Sequence, residues 1–344
     1  LRRIVNDHFF PIAMDTFNHL IGMAQEWLFE SLIQPVLFKL GFASVLEDAY
    51  DATLWLIAGI LQIAVLICFI GPLQRWRPVE PVTDRREVRL DILYTLIHRL
   101  GVFRVVLFFA IDPFWDSIFG ELHIWGLSTL QLDNLWPGVT DNALVSLAIY
   151  LVVFDLVEYL YHRAQHNIEW MWALHAVHHS QRQMTMWSDN RNHLLDDVLH
   201  DVVIVIVSQL IGVPPAQFVA VVVILQLVES FSHANLRLGF GRLGERLIVG
   251  PRFHREHHGI AYETTPTGKV VGSNYAVIFP IWDILFRTAR FDGNFGPTGI
   301  ADQLPEAGGR DYGRTFLAQQ WLGLKRLVAA RPRLVRRRSR RAAA

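Results

Sequence analysis

Cysteine is nearly absent: Cys68 is the only one in 344 residues, so no disulfide can form within the chain. Charge is scarce as well. Lys, Arg, Asp and Glu make up 19% of the residues, against about 25% in an average soluble domain, and they sum to zero. Gly and Pro are too few for a collagen-like chain, while 22 Phe and 11 Trp are too many for a disordered or coiled-coil one. No Gly/Ser linker, repeat of solenoid period or nucleic-acid module is present, and no cleavable signal peptide is readable from Leu1 onward. Apolar residues are what the chain has in excess. They reach 52%, with a mean hydropathy of +0.26, and point toward a membrane.

The balance of charge is uneven along the chain. From Lys325 to Arg341 there are nine Lys or Arg and no acid, ending in Arg336, Arg337, Arg338, Arg340 and Arg341. Such a tail suits anionic lipid headgroups, each charge near a membrane contributing about 1 kcal/mol. A solvated terminus is the alternative.

Residues 17–40 space Phe17, Leu20, Ile21, Ala24 and Leu28 at helical intervals with polar residues between them, the pattern of an amphipathic interfacial helix. Ala52 to Gly71 holds 20 residues without a charge, enough to cross a hydrocarbon core of about 30 Å as a helix. Residues 92–111 are a second candidate span containing His98, Arg99 and Arg104, which must face the bundle interior or an interface. Residues 143–161 are a third. Residues 198–213 and 216–231, joined by Gly212-Val213-Pro214-Pro215, read as a helical hairpin, because an open sheet in lipid leaves backbone groups unpaired. The expected fold is an all-α integral membrane protein of about four to five spans with a cytoplasmic histidine-rich cap. Arg75, Arg77, Arg85, Arg86 and Arg89 place the first loop in the cytoplasm, and alternate threading brings the histidine-rich segments to the same side.

Eleven of the 15 histidines lie between positions 162 and 258. His162 and His166 are four apart, on one helical face. His175, His178 and His179 have offsets of zero, three and four, and His254, His257 and His258 repeat them. His233 follows the fifth candidate span, and His193 lies between the second cluster and the fourth. One structural zinc takes about four ligands, so imidazoles in this number imply two metals, of a type that ligand identity alone does not select. His200 has a weaker claim, and His98 is either a satisfied core residue or part of a substrate path. Ligating imidazoles commonly donate their second N–H to a carboxylate or carbonyl. Asp155, Glu158, Asn190, Glu229 and Asn235 are the candidates for that role, with Asp196 and Asp197 further choices. For Glu158 and Glu229, direct ligation or an internal ion pair are the alternatives.

The segments EYLYHRAQH (Glu158 to His166), WALHAVHHS (Trp172 to Ser180), NRNH (Asn190 to His193), SHANLRLG (Ser232 to Gly239), PRFHREHHG (Pro251 to Gly259) and NYAVIFPIWDILFRT (Asn274 to Thr288) resemble the fatty acid hydroxylase and sterol desaturase superfamily of integral-membrane oxygenases. The resemblance covers about residues 143–290. It implies an α-helical membrane fold, a cytoplasmic pair of iron ions, O2 as oxidant and a lipid or sterol-like substrate. Carried over by motif position, the ligands it implies are His162, His166, His175, His178, His179, His233, His254, His257 and His258, with His193 added. Two positions depart from the family pattern: Leu194 stands where many relatives have Pro, and Arg287 where they have Gly.

Four segments follow: an interfacial N-terminus (1–51), membrane spans and loops (52–142), an oxygenase-like domain (143–290) and an extension with the basic tail (291–344). The function expected is hydroxylation or desaturation of a lipid C–H bond. No electron-carrier module is visible, so a separate ferredoxin- or cytochrome b5-like protein would supply electrons. Trp170, Trp172 and Trp187 flank the motifs and are candidates for shaping a substrate channel. A histidine-rich metal transporter and a zinc-dependent lipid hydrolase are the rival readings. Transport ligands belong near the membrane midplane, and hydrolysis needs fewer imidazoles.

Overall fold

The structure, a computed structural model, describes residues 16, 19–103, 112–260 and 272–330. Phe17, the part of the second candidate span from Arg104 to residue 111, and the tail with Arg336, Arg337, Arg338, Arg340 and Arg341 lie outside these residues. Among the described residues every regular element is helical, and one isolated bridge, Gly259 with Thr298, forms no sheet.

Helix α1 (19–40) carries a π-turn at Phe29–Ile33, and α2 (Ala43–Trp76) follows directly. Then come α3 (Arg85–Arg99), α4 (Asp112–Ile124), α5 (Ala143–Asn167), α6 (Glu169–His179), α7 (Leu194–Ile211), α8 (Pro215–His233), α9 (Pro251–His257), α10 (Ile281–Leu285) and α11 (Phe316–Ala329). Local chemistry sets their starts. The Asp84 carboxylate accepts from Arg86 N and Glu87 N at α3, and the Asn142 amide oxygen from Leu144 N and Val145 N at α5. Pro215 and Pro251 open α8 and α9, where the missing N–H has no intrahelical partner to lose. The expected hairpin is α7 and α8, with Gly212 at φ 65° ending α7 in the left-handed region.

Among the described residues α2, α5 and α8 are long and apolar enough to cross a membrane. Helix α7, expected as a span, forms as a helix but holds Asp196, Asp197 and Asp201. Helix α2 shows the environment directly. Its buried residues in the first two-thirds are Thr53, Gly59 and Gln62, while Ile60, Leu61, Ile67 and Phe69 face outward. That is the reverse of a helix in water and matches one whose polar groups find partners inside the bundle while lipid covers the rest. Gly59 lets α2 and α3 touch, since a Cβ there would stand 1.6 Å from the Arg99 carbonyl oxygen. Arg99 is buried as expected of a charge in a span, donating to Gln62 Oε1 (3.1 Å), Asp189 Oδ2 (2.8 Å) and Ser230 Oγ (3.2 Å).

Around α5 the core positions everything that follows. Tyr150, Phe154, Ile204, Val221, Leu225, Val277 and Ile278 join α5, α7, α8 and the segment before α10. That segment is pinned by two buried carboxylates. Asp155 accepts from Ile278 N (2.7 Å), Phe279 N (2.9 Å) and Trp282 Nε1 (3.0 Å), and Asp283 from Tyr275 N and Ala276 N (both 2.9 Å). Helix α6 lies against α5 on one side and α11 on the other, and α9 packs on α8.

Candidate metal centre

Nine imidazoles from four helices meet in two adjoining groups. His162, His166, His175, His179 and His257 form one, and His178, His233, His254 and His258 the other; all are buried except His162, which is half-buried, and within each group the candidate ligand atoms lie within 4.8 Å of one another. The spacing explains the division. In α6 the residues four apart, His175 and His179, serve the first group, and His178 points to the second. In α9 the pattern is mirrored: His254 and His258 serve the second group and His257 the first. Rings of the two groups touch across the boundary, His179 and His258 stacking with centroids 4.3 Å apart.

Backbone carbonyls set the tautomers. His162 Nδ1 donates to Tyr275 O (2.9 Å), His257 Nδ1 to Ser273 O (2.6 Å) and His233 Nδ1 to Glu229 O (2.7 Å). A carbonyl only accepts, so each Nδ1 carries the proton and each Nε2 turns a lone pair toward its neighbours. There the hydrogen-bond count fails. His179 Nε2 lies 3.1 Å from both His166 Nε2 and His257 Nε2, and His254 Nε2 lies 3.0 Å from His233 Nε2 and 3.2 Å from His258 Nε2. An imidazole nitrogen offers one proton or one lone pair, which cannot serve two such neighbours. Among the described residues His162 Nε2 and both nitrogens of His175 have no hydrogen-bond partner at all. A shared cation relieves this crowding, so the residues present fit a metal in each group. Burial and repulsion between the rings hold His178, His179, His254 and His258 well below the ordinary imidazole range, and His257 at about 3. They are therefore neutral, as ligands must be.

A family model for fatty acid hydroxylase matches residues 147–288, which contain all nine of these histidines. Residues 147–288 are thus similar to the fatty acid hydroxylase family. An alkylglycerol monooxygenase of Caenorhabditis elegans is 26% identical over 188 residues, 54% of this chain and 32% of its own length. The ornithine lipid hydroxylase of Rhizobium tropici is 25% identical over 224 residues, 64% of each chain. An alkylglycerol monooxygenase of Danio rerio is 29% identical over 134 residues, 39% of this chain and 28% of its own. The matches thus span between about a quarter and two-thirds of these relatives, and no solved structure matches.

Several expectations for residues 147–288 need correction. His193 joins neither group: its Nε2 meets Gln320 O (2.9 Å) and its Nδ1 accepts from Leu195 N (3.1 Å), so it caps α7 and has no nitrogen left for a metal. Among the described residues, the side chains of the acids and amides expected behind the ligands make no hydrogen bond to them. Asp155 holds the segment that presents Tyr275 O, Glu158 pairs with His200 (2.8 Å), and Asn235 takes Val79 N, Glu80 N and Glu80 O. Glu229 contributes its carbonyl rather than its carboxylate, and Asn190 lines a cavity. Asp196 lies near a ligand imidazole, Oδ2 being 3.5 Å from His175 Nδ1. The carbonyls that replace them leave no side-chain signature, although the Asn274–Thr288 motif that holds one of them, Tyr275 O, was legible. Trp172 lies against His166 and His179 with centroids 5.0 and 5.4 Å away, whereas Trp170 is exposed and Trp187 packs on Leu66 and Met186.

Beside the groups lies a cavity of about 200 Å³. His162 and His175 of one group and His178, His233 and His254 of the other line it, together with the apolar Phe154, Ile204, Val222, Leu225 and Val277 and the acids Glu158, Asp189, Asp196, Asp197, Asp201 and Glu229. His98 and His200 line it too, outside both groups.

Proposed function

We propose that the chain is a membrane-bound oxygenase that hydroxylates, or desaturates, a C–H bond of a lipid or sterol-like substrate using O2 and electrons from a separate ferredoxin- or cytochrome b5-like donor. The observation that carries this reading is the pair of buried histidine groups beside one cavity whose lining includes apolar side chains. The lipid hydroxylases and monooxygenases among the relatives support the substrate class. Bound iron, two ions in this reading, supplies the oxidising power that no side chain has.

The ligand set is His162, His166, His175, His179 and His257 for one ion and His178, His233, His254 and His258 for the other. Four imidazoles leave the second ion the fuller share of positions for an outside ligand, and three of those four rings line the cavity. Tyr275 O, Ser273 O and Glu229 O keep three rings oriented by accepting their Nδ1 protons. Phe154, Ile204, Val222, Leu225 and Val277 offer apolar contact to a hydrocarbon segment in this cavity. Positive residues between Arg75 and Arg89 favour a cytoplasmic site, within reach of a soluble electron donor.

The groups sit at the C-terminal ends of α5 and α8, not along a path through the bilayer, which speaks against a transporter. Comparative lipid mass spectrometry of cells with and without the protein is the test. A lipid that gains one oxygen or loses two hydrogens only when the protein is present, and only in air, is the expected result. Release of a hydrolysed lipid without O2 would instead identify a zinc hydrolase, and metal analysis of the purified protein separates the two independently.

A further inference from the structure

We propose that α11, with the basic residues that follow it, docks on the headgroup layer of an anionic bilayer, so that one helix touches both the lipid surface and the histidine-bearing α6. The proposal concerns chain beyond residues 147–288 and holds whatever reaction the histidine groups support.

Helix α11 is inverted relative to a helix in water. Gln319 and Gly323 are buried, whereas Leu317, Trp321, Leu324 and Val328 are exposed, Leu317 by 76% and Val328 by 85%. Their spacing of four, three and four puts them on one stripe of the helix. The polar face is spent on the protein. Gln320 Oε1 accepts from Leu194 N (2.8 Å), its Nε2 donates to Asn192 O and to the Tyr94 hydroxyl (both 3.0 Å), and its carbonyl meets His193 Nε2. Arg326 Nε donates to Ala173 O of α6 (3.1 Å), two residues before His175. Gly323 lets the helix lie on His193, since a Cβ there would stand 2.3 Å from His193 Cδ2. Rolling α11 to bury its apolar stripe would break these bonds, so the stripe is left for a partner outside the chain.

Charge identifies that partner. From Phe316 to Ala344 there is no Asp or Glu, while Lys325, Arg326, Arg331, Arg333 and the five arginines of the tail are all cationic. Lys325 Nζ lies 5.3 Å from the centre of the Trp321 ring, which puts a cation at the edge of the stripe. Trp beside Lys or Arg suits the boundary where hydrocarbon meets headgroups. A second copy would bring the same nine cations to the contact and repel the first. An anionic bilayer answers both features at once, with acyl chains against the stripe and phosphates against the cations. Helices α2, α5 and α8, long and apolar enough to cross a membrane, bring that surface within reach.

The test uses the whole chain with one nitroxide label. Cys68 is the sole cysteine, so Cys68→Ser gives a background for Leu317→Cys or, separately, Val328→Cys, at the two ends of the stripe. Each labelled protein is placed, one copy per disc, in phosphatidylcholine nanodiscs with or without phosphatidylglycerol. Relaxation of the label by O2, which concentrates among acyl chains, is compared with relaxation by a neutral, water-soluble nickel chelate. The O2-to-nickel ratio is expected to be severalfold higher in the discs with phosphatidylglycerol at both positions, and about 1 M salt to remove most of that difference by screening. A label open to nickel in both kinds of disc, or sheltered equally in both, overturns the proposal. Shelter that arises only when two copies share a disc overturns it as well, because a second chain would then cover the stripe.

Discussion

His193 and His258 are both buried histidines in motifs that resemble metal sites, yet they are tied to different things. His258 Nε2 lies 3.2 Å from His254 Nε2 inside a histidine group, whereas His193 spends both nitrogens on the backbone. His258→Ala, or His257→Ala in the other group, is expected to lower bound metal per chain by roughly half or more, measured by plasma mass spectrometry. His193→Ala is expected to keep the metal and to lower stability by about 1 kcal/mol through loss of a helix cap, read from the denaturation midpoint. Arg287 poses a separate question. It has φ 59°, a conformation that glycine adopts without the clash of a Cβ, which accounts physically for Gly at this position in the family pattern. Arg287→Gly is expected to be neutral or to stabilise by up to about 1 kcal/mol, and a loss of more than that would mean the arginine side chain holds something in place.

Contacts between helices depend on a few such positions. Gly59 and Arg99 join α2 to α3, and Arg99 joins both to α8 and to the Asp189 loop at the edge of the cavity. Gly59→Ala forces a backbone apart rather than a flexible side chain, and is expected to destabilise by about 1–3 kcal/mol. Arg99→Met leaves Asp189 buried without its cation, and is expected to cost about 3–5 kcal/mol. Thermal unfolding in detergent checks both, and Arg99→Met should show the larger drop. A comparable buried network fixes the loop between α6 and α7: Arg191 donates from Nε to Asp91 Oδ1 and from Nη1 to Glu87 Oε2, both at 2.5 Å, anchoring that loop on α3.

The molecule as a whole turns apolar residues outward along α2 and polar ones inward, and gathers its neutral imidazoles at one end of the bundle. Those imidazoles make the metal-free protein sensitive to acid. His178, His179, His254, His257 and His258 are held below the ordinary imidazole value, chiefly because burial disfavours the charged ring. As pH falls below about 6.5 the unfolded chain takes up protons at these positions while the folded chain does not, so unfolding is favoured. Stability is thus full above about pH 6.5, and each group then removes up to about 1.4 kcal/mol per pH unit until its own folded value is reached, near 3 for His257. After chelation, the unfolding temperature should drop steeply between about pH 7 and 5, and bound metal should flatten the drop by excluding protons. An apo protein indifferent to pH over that range would contradict the burial of these rings.

The helical class, the hairpin at Gly212 and the three histidine clusters could all be read from residue order, because helical period, turn residues and offsets of three and four are local properties of the chain. Arg99 could be expected inside for the same kind of reason: a charge in an apolar run has few places to go. Which imidazoles share an ion could not be read that way. His175 and His178 are three residues apart yet belong to different groups, and His257 is grouped with His162, 95 positions earlier, by the packing of α9 on α8 and of α6 on α5. Nor could the oxygens that orient the rings be found, since Ser273, Tyr275 and Glu229 act through main-chain carbonyls that every residue possesses. Residue type announces what chemistry is available. Long-range packing alone assigns partners, since convergence is a relation between distant parts of the chain.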